Sequence, residues 1–151
     1  MSQRDNPTSK SVHLLCYLIE EMSRISKRTK EEIVAKMGRD KLEWICYNED
    51  EYHYLSMDIL AKRELDEIGM TTGDYYKVAW GRYEIPSVNT VSEVYLNIIE
   101  GLGGHRIDAF LQLMNSPVME YLDDYNSTLL TADTEYLVDC IRAGHVVDEF
   151  E

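Results

Sequence analysis

The chain has 151 residues, of which 44% are hydrophobic and 28% charged, a composition suited to one soluble domain with a sizeable core. At this length roughly 68–70% of the unfolded surface can be buried, so the fold needs neither disulfide nor metal. The balance of 28 acidic against 15 basic residues, a net charge of −13, argues against a protein that grips nucleic-acid phosphates or docks on anionic lipid, since both need a basic face.

Residues 1–9 are polar, with no apolar run of the kind a secretory signal carries. From Ser11, the residues Val12, Leu15, Cys16, Leu18, Ile19, Met22 and Ile25 recur at three- and four-residue steps, which predicts an amphipathic helix. Lys27 and Arg28 suit its negative C-terminal end. Thr29 with Glu32 three residues on is a capping box, and the helix it opens runs through Ile33, Val34 and Met37 to a stop at Gly38. A short helix with Leu42, Trp44, Ile45 and Cys46 follows. Asn48 or Asp50 can then cap a longer one that carries Tyr52, Leu55, Ile59, Leu60 and Leu65 toward Gly69.

Residues 70–90 break the helical period. Tyr75-Tyr76-Lys77-Val78-Ala79-Trp80 has strand composition, Gly81-Arg82 can turn the chain, and Tyr83-Glu84-Ile85 stops at Pro86. The segment reads as a small β-hairpin or an irregular linker laid on helices. Beyond it, Val91, Val94, Tyr95, Ile98 and Ile99 form one helical stripe, and Ile107, Phe110, Leu111 and Met114 another. Ser116-Pro117 is a helix start, with Val118, Met119, Tyr121 and Leu122 expected inward. Thr131 is expected to cap a last helix holding Tyr136, Leu137, Cys140 and Ile141 and ending at Gly144.

The fold class is therefore mostly α: a compact bundle of about seven to eight helices. Its organisation reads as a flexible 1–9, a helical unit over 10–70, a linker or hairpin over 71–90 and a second unit over 91–151, sharing one core. Both units follow one order, and short segments correspond: Ile19-Glu20-Glu21-Met22 with Ile98-Ile99-Glu100-Gly101, and Lys41-Leu42-Glu43-Trp44-Ile45 with Val118-Met119-Glu120-Tyr121-Leu122. This suggests a pseudo-twofold pair of units, neither of which buries its apolar face alone.

The acidity is asymmetric. Residues 1–70 hold 11 Lys/Arg against 14 Asp/Glu, whereas residues 71–151 hold 4 against 14. The second half therefore carries a net −10. A solubilising surface accounts for such charge; so does a surface shaped for a basic partner, which requires the carboxylates to share a face. Asp123, Asp124, Asp133 and Glu135 are the acidic candidates for such contact. Aromatic content is skewed to 11 Tyr and 2 Trp against 2 Phe. Tyr75, Tyr76, Trp80 and Tyr83, each an apolar body with a polar tip, are the aromatic candidates for interface anchors; half-buried packing explains them equally.

Other chemistries find little support. Cys16, Cys46 and Cys140 are odd in number and set among apolar neighbours, so buried reduced thiols are expected. No histidine has a His or Cys partner at ligand spacing on its own helix, so no metal or other cofactor is expected. Gly101-Leu102-Gly103-Gly104-His105-Arg106 hints at an anion site, yet it follows a helix and lacks the Lys-Ser/Thr of a phosphate-binding loop. No apolar run approaches the roughly 20 residues that cross a bilayer. A cytoplasmic location is expected, bacterial or that of a phage host.

One resemblance adds to this. The run Val118-Met119-Glu120-Tyr121-Leu122, then Leu129-Leu130-Thr131, then Glu135-Tyr136-Leu137-Val138-Asp139-Cys140-Ile141 resembles a family of short uncharacterised bacterial helical domains whose members read Asp-Tyr-Leu, Val-Leu-His-Thr-Gln-Gly and Glu-Tyr-Ile-Val-Asp-Asp-Ile. Cys16-Tyr17-Leu18-Ile19-Glu20-Glu21 and Glu32-Ile33-Val34 match more loosely. The family's histidine is Leu130 here and its glycine Asp133, so no role of that histidine carries over. Genes of this family often lie beside one for an ADP-ribosyltransferase-like protein, and the resemblance implies an antitoxin-like role.

The sequence thus points to a non-enzymatic, acidic protein-binding module that neutralises a protein partner, itself basic or nucleic-acid-binding, without contacting nucleic acid or membrane directly. Homodimerisation stays open. One alternative is a phage-type anti-defence inhibitor that imitates nucleic-acid charge. The other is a small enzyme that uses carboxylates or the glycine-rich turn.

Overall fold

The computed structural model describes residues 6–52, 56–75, 85–124 and 129–147. Among them are nine α-helices and one 3-10 turn: α1 (Ser9–Ser26), α2 (Lys30–Met37), α3 (Arg39–Tyr47), α4 (Glu49–Tyr52), α5 (Met57–Glu67), α6 (Val88–Leu102), α7 (Arg106–Met114), α8 (Met119–Leu122), the 3-10 turn Leu129–Thr131 and α9 (Thr134–Ala143). No described residue lies in a strand. The mostly helical class stands. Of the hairpin proposed over Tyr75–Ile85, residues 76–84 lie outside the described residues.

The two longest helices pack on each other at the centre. Val12, Leu15, Leu18, Ile19 and Met22 of α1 and Val91, Tyr95, Ile98 and Ile99 of α6 are all fully or almost fully buried, which is what their apolar stripes demand. Helices α5, α3 and α2 surround α1, while α9 and α7 flank α6. Each half therefore places its long helix against its own closing helix. The buried apolar residues of both halves form one continuous core.

Local signals explain most boundaries. Thr8 caps α1, its hydroxyl accepting from the Ser11 amide, so the helix starts slightly before the expected Ser11. Thr29 and Glu32 make both bonds of the capping box at the start of α2, and α9 ends at Gly144. Four expectations require correction. The single helix from Asn48 to Gly69 is two, α4 and α5: Asn48 both closes α3, with its side-chain amide on the Trp44 carbonyl, and accepts from the Glu51 amide of α4, and Ser56 restarts the chain into α5. Ile59 and Tyr121, expected inward, are 56% and 50% exposed. The Ser116-Pro117 start gives a helix of only four residues. Asp133, not Thr131, occupies the position before α9, and its side chain makes no capping bond.

The connection leaving the first half is strapped to the end of α1. The Gly73 amide donates to the Ser26 carbonyl at 2.8 Å and the Tyr75 amide to the Lys27 carbonyl at 2.9 Å. Arg28 adds two bonds to Thr71. A side chain at residue 73 would bring its Cβ within 2.5 Å of the Lys27 carbonyl oxygen, so the close approach requires glycine. Where the chain returns, Arg24 donates to the Pro86 carbonyl at 2.7 Å. Both ends of the crossover are thus anchored beside the C-terminal turn of α1.

Candidate functional site

A network of buried charges sits at this junction. Lys30 is the first residue of α2, and the cap at Thr29 turns its side chain inward, where it is fully buried. Its Nζ lies 2.7 Å from Glu20 Oε1, on the buried face of α1, and also bonds Asp123 at the end of α8. Glu20 Oε2 accepts from Arg24 Nε at 2.7 Å. Among the described residues, two cations therefore face two carboxylates. The ammonium also stands 5.2 Å from the centre of the Tyr95 ring, and the Tyr75 hydroxyl reaches Asp123 Oδ2 at 3.4 Å. Burial pushes the Tyr95 and Tyr75 hydroxyls well above the ordinary phenol range; the neighbouring Asp123 carboxylate adds to both shifts and Lys30 opposes them.

Burying such ions is costly, and the arrangement persists because each charge has a partner; removing one member of a buried pair costs about 3–5 kcal/mol. Lys30 and Asp123 line a cleft of about 430 Å³ together with Thr29, Tyr75, Ser116 and Glu120. Lys30 is fully buried and bonded to both carboxylates, so it presents no free amine to a substrate.

This burial removes Asp123 from the acidic surface expected of it. Asp123 is 4% exposed and pairs within the molecule. Asp124, Asp133 and Glu135 are exposed. Tyr75 is half-buried, turned toward Asp123. Tyr76, Trp80 and Tyr83 lie outside the described residues. Nothing in the sequence singled out Glu20, Arg24, Lys30 or Tyr95, although Glu20 interrupts the apolar stripe of α1 between Cys16 and Ser23, and a charged residue inside such a stripe signals a buried partner.

Exposed carboxylates without an ion pair among the described residues occur in both halves, at Glu31, Asp40, Asp50, Glu51, Asp58 and Asp66 in the first. In the first, cations meet carboxylates: Arg28 with Glu32, Arg39 with Glu43, and Lys41 with Glu64 and Glu67. In the second, Glu100 is paired with Arg106, and Asp108 with Arg39 of the first half. Glu120, Asp133, Glu135 and Asp139 are exposed and form no ion pair among the described residues. Glu135 and Asp139 are four residues apart on α9, a spacing at which like charges repel.

The glycine-rich turn is engaged internally. Asn6 fills the place an anion would take: its side-chain carbonyl accepts from the Arg106 amide at 2.8 Å, and its amide donates to the Gly104 carbonyl. The Arg106 guanidinium spans Glu100 and the Pro7 carbonyl, and His105 caps α7 by accepting from the Ile107 amide. His13 pairs with Ser92 at 2.9 Å, whose hydroxyl donates to the Asn89 carbonyl. The Ser92 side chain is fully buried, between α6 and His13 of α1. Cys16, Cys46 and Cys140 are buried free thiols. Burial pushes the Cys46 thiol up to about 12 and raises that of Cys16 further.

No helix of the described residues is long and apolar enough to cross a membrane. Comparison with known proteins identifies no relative: no family model, curated protein or solved structure matches the chain.

Proposed function

We propose that the protein is an acidic binding module that neutralises a basic macromolecular partner, in the manner of an antitoxin. The observation that carries this reading is the set of exposed carboxylates at Glu120, Asp133, Glu135 and Asp139, which lack ion pairs among the described residues and lie in the half of the sequence with 4 Lys/Arg against 14 Asp/Glu. Like charges left facing water repel one another within the fold, and a cationic surface relieves that repulsion on contact. Opposed potentials also accelerate diffusional encounter. The resemblance of residues 118–141 to an antitoxin-like family supports the same reading, as does the commitment of the glycine-rich turn to internal bonds.

The test is affinity capture from cytoplasm over a range of salt, with wild type beside an E120Q/D133N/E135Q/D139N variant. A basic protein retained at low salt, released at high salt and lost by the variant is the expected outcome. Capture of no such protein, or equal capture by the variant at low salt, rejects the reading.

A further inference from the structure

A groove unlike the charged surface around it runs along the first turns of α6, between that helix, the 3-10 turn and the start of α9. Its volume is about 630 Å³, within the range of about 300–1,000 Å³ in which binding clefts fall. Ile85, Val94, Ala132 and Leu137 give it an apolar lining, and Thr90 and Asn97 are its polar groups along α6. Among the described residues, no charged side chain lines it. Ile85, at one end, is 42% exposed, unusual for so large an apolar side chain.

Carboxylates stand beside this uncharged surface. Asp133 lies between two residues that line the groove, Ala132 and Thr134, and Glu93 immediately precedes a third, Val94. Both acids are exposed, and neither forms an ion pair among the described residues. Glu93 accepts from the Asn89 side-chain amide, a bond that leaves its charge uncompensated. At the Pro86 end, Arg24 is committed to the Pro86 carbonyl and to the buried Glu20.

We infer that this groove receives an amphipathic helix of the partner, whose apolar residues enter it while lysines or arginines of the same helix meet Asp133 and Glu93. The inference rests on the acidic binding role proposed above and gives that role a place on the molecule. An uncharged apolar cleft takes up apolar side chains, and carboxylates at its rim favour cations beside them. The lining residues from Ser87 to Asn97 cover about 15 Å of α6 at the helical rise. Anchors at i, i+3 or i+4 and i+7 of a docked helix span about 10 Å, so two turns of it fit. No described residue lies in a strand, so no sheet edge is offered to an extended segment.

The test uses the full chain, isotopically labelled for NMR, and a synthetic helical peptide with leucines at i, i+3, i+4 and i+7 and lysines elsewhere. Two control peptides replace the leucines by alanine or the lysines by glutamate. The Leu/Lys peptide is expected to shift the amide resonances of Thr90, Val94, Asn97, Ala132 and Thr134, with an affinity that falls as salt is added. The alanine peptide is expected to bind at least about tenfold more weakly, since buried anchors supply most of the affinity, and the glutamate peptide not at all. V94Q, which places a polar group in the groove, is expected to lose about tenfold in affinity; D133N loses about two- to threefold, as one exposed ion pair allows. No binding of the Leu/Lys peptide, equal binding of the alanine peptide, or shifts gathered instead at Glu135, Asp139 and Arg142 of the neighbouring cleft overturn the inference. Concentration-dependent shifts of the groove amides in the protein alone overturn it as well, because they seat a second copy there. The peptide comparison acts on the unaltered protein and decides the matter should V94Q fail to fold. Capture asks whether a basic partner exists and the peptides ask where it docks, so each can fail without the other.

Discussion

Gly101, one residue from the end of α6, sets how closely that helix approaches α9. A Cβ built there meets Val138 Cγ2 at 2.6 Å, well inside contact distance, and Val138 is 5% exposed. Valine is stiff about χ1, so the clash is not relieved by a rotamer change and the helices must shift. Overpacking of this kind costs roughly 1–3 kcal/mol. Alanine gains about 1 kcal/mol over glycine in a helix interior, and less this near the end. G101A is therefore expected to destabilise the protein by about 1 kcal/mol despite its better helix propensity. V138A alone removes two buried methyl groups, at about 0.8 kcal/mol each, plus a cavity term. In the double variant the alanine methyl enters the space vacated by Val138, so the two effects compensate with a coupling of about 1 kcal/mol or more. Urea denaturation measures this as a shift of midpoint at constant slope. A neutral or stabilising G101A, or a strictly additive double variant, would refute the close-packing argument.

T29A removes the hydroxyl that caps α2 and loosens the first turn that carries Lys30; a loss of about 1 kcal/mol in urea denaturation is expected. Glu64 is buried, its Oε2 lying 3.3 Å from Lys41 Nζ, with Glu67 nearby and Arg63 at its rim. Burial raises its carboxyl above the ordinary value of 4.5, with Lys41 opposing and Glu67 reinforcing the shift. The native state then holds its proton to higher pH than the unfolded chain, so ionisation weakens the fold as pH rises from that ordinary value through the raised one. E64Q, which cannot ionise, is expected to gain stability relative to wild type at neutral pH, the gain shrinking as pH falls. Stability curves that stay parallel across that range count against it. The buried thiols of Cys16, Cys46 and Cys140 should react with a disulfide reagent only as the protein unfolds, so labelling should rise with the unfolding transition in urea; rapid labelling of any of the three under native conditions contradicts their burial.

Much of the fold was legible along the chain because its helices carry strong local signals. The stripes of α1 and α6, the capping box at Thr29 and the stop at Gly144 are each decided by residues within a turn or two of one another. Where tertiary packing set the outcome, local reading failed. Periodicity could not place Ile59 or Tyr121, since a short helix exposes whichever flank its neighbours leave uncovered. The propensity of Thr131 as a cap was overruled because that residue is taken up in the 3-10 turn. Asp123 shows the limit most clearly. Beside Asp124 in the sequence it reads as a surface acid, yet it is buried and bonded to a buried lysine 93 residues earlier, whereas Asp124 is exposed.

The sequence by itself determined the net charge of −13, its concentration after residue 70 and the predominance of helix, since these depend on composition and on spacing over a few residues. Only the tertiary structure decided which charges are spent inside the molecule. Glu20, Lys30 and Asp123 come from three separate helical segments, and no local rule couples them; they meet because the apolar faces of α1 and α6 close and bring the ends of α2 and α8 together. Burial in that closed core, where an unpaired charge is costly, is what makes their pairing obligatory. The same closure leaves Glu120, Asp133, Glu135 and Asp139 outside, in water, without a cation of the described chain to pair with.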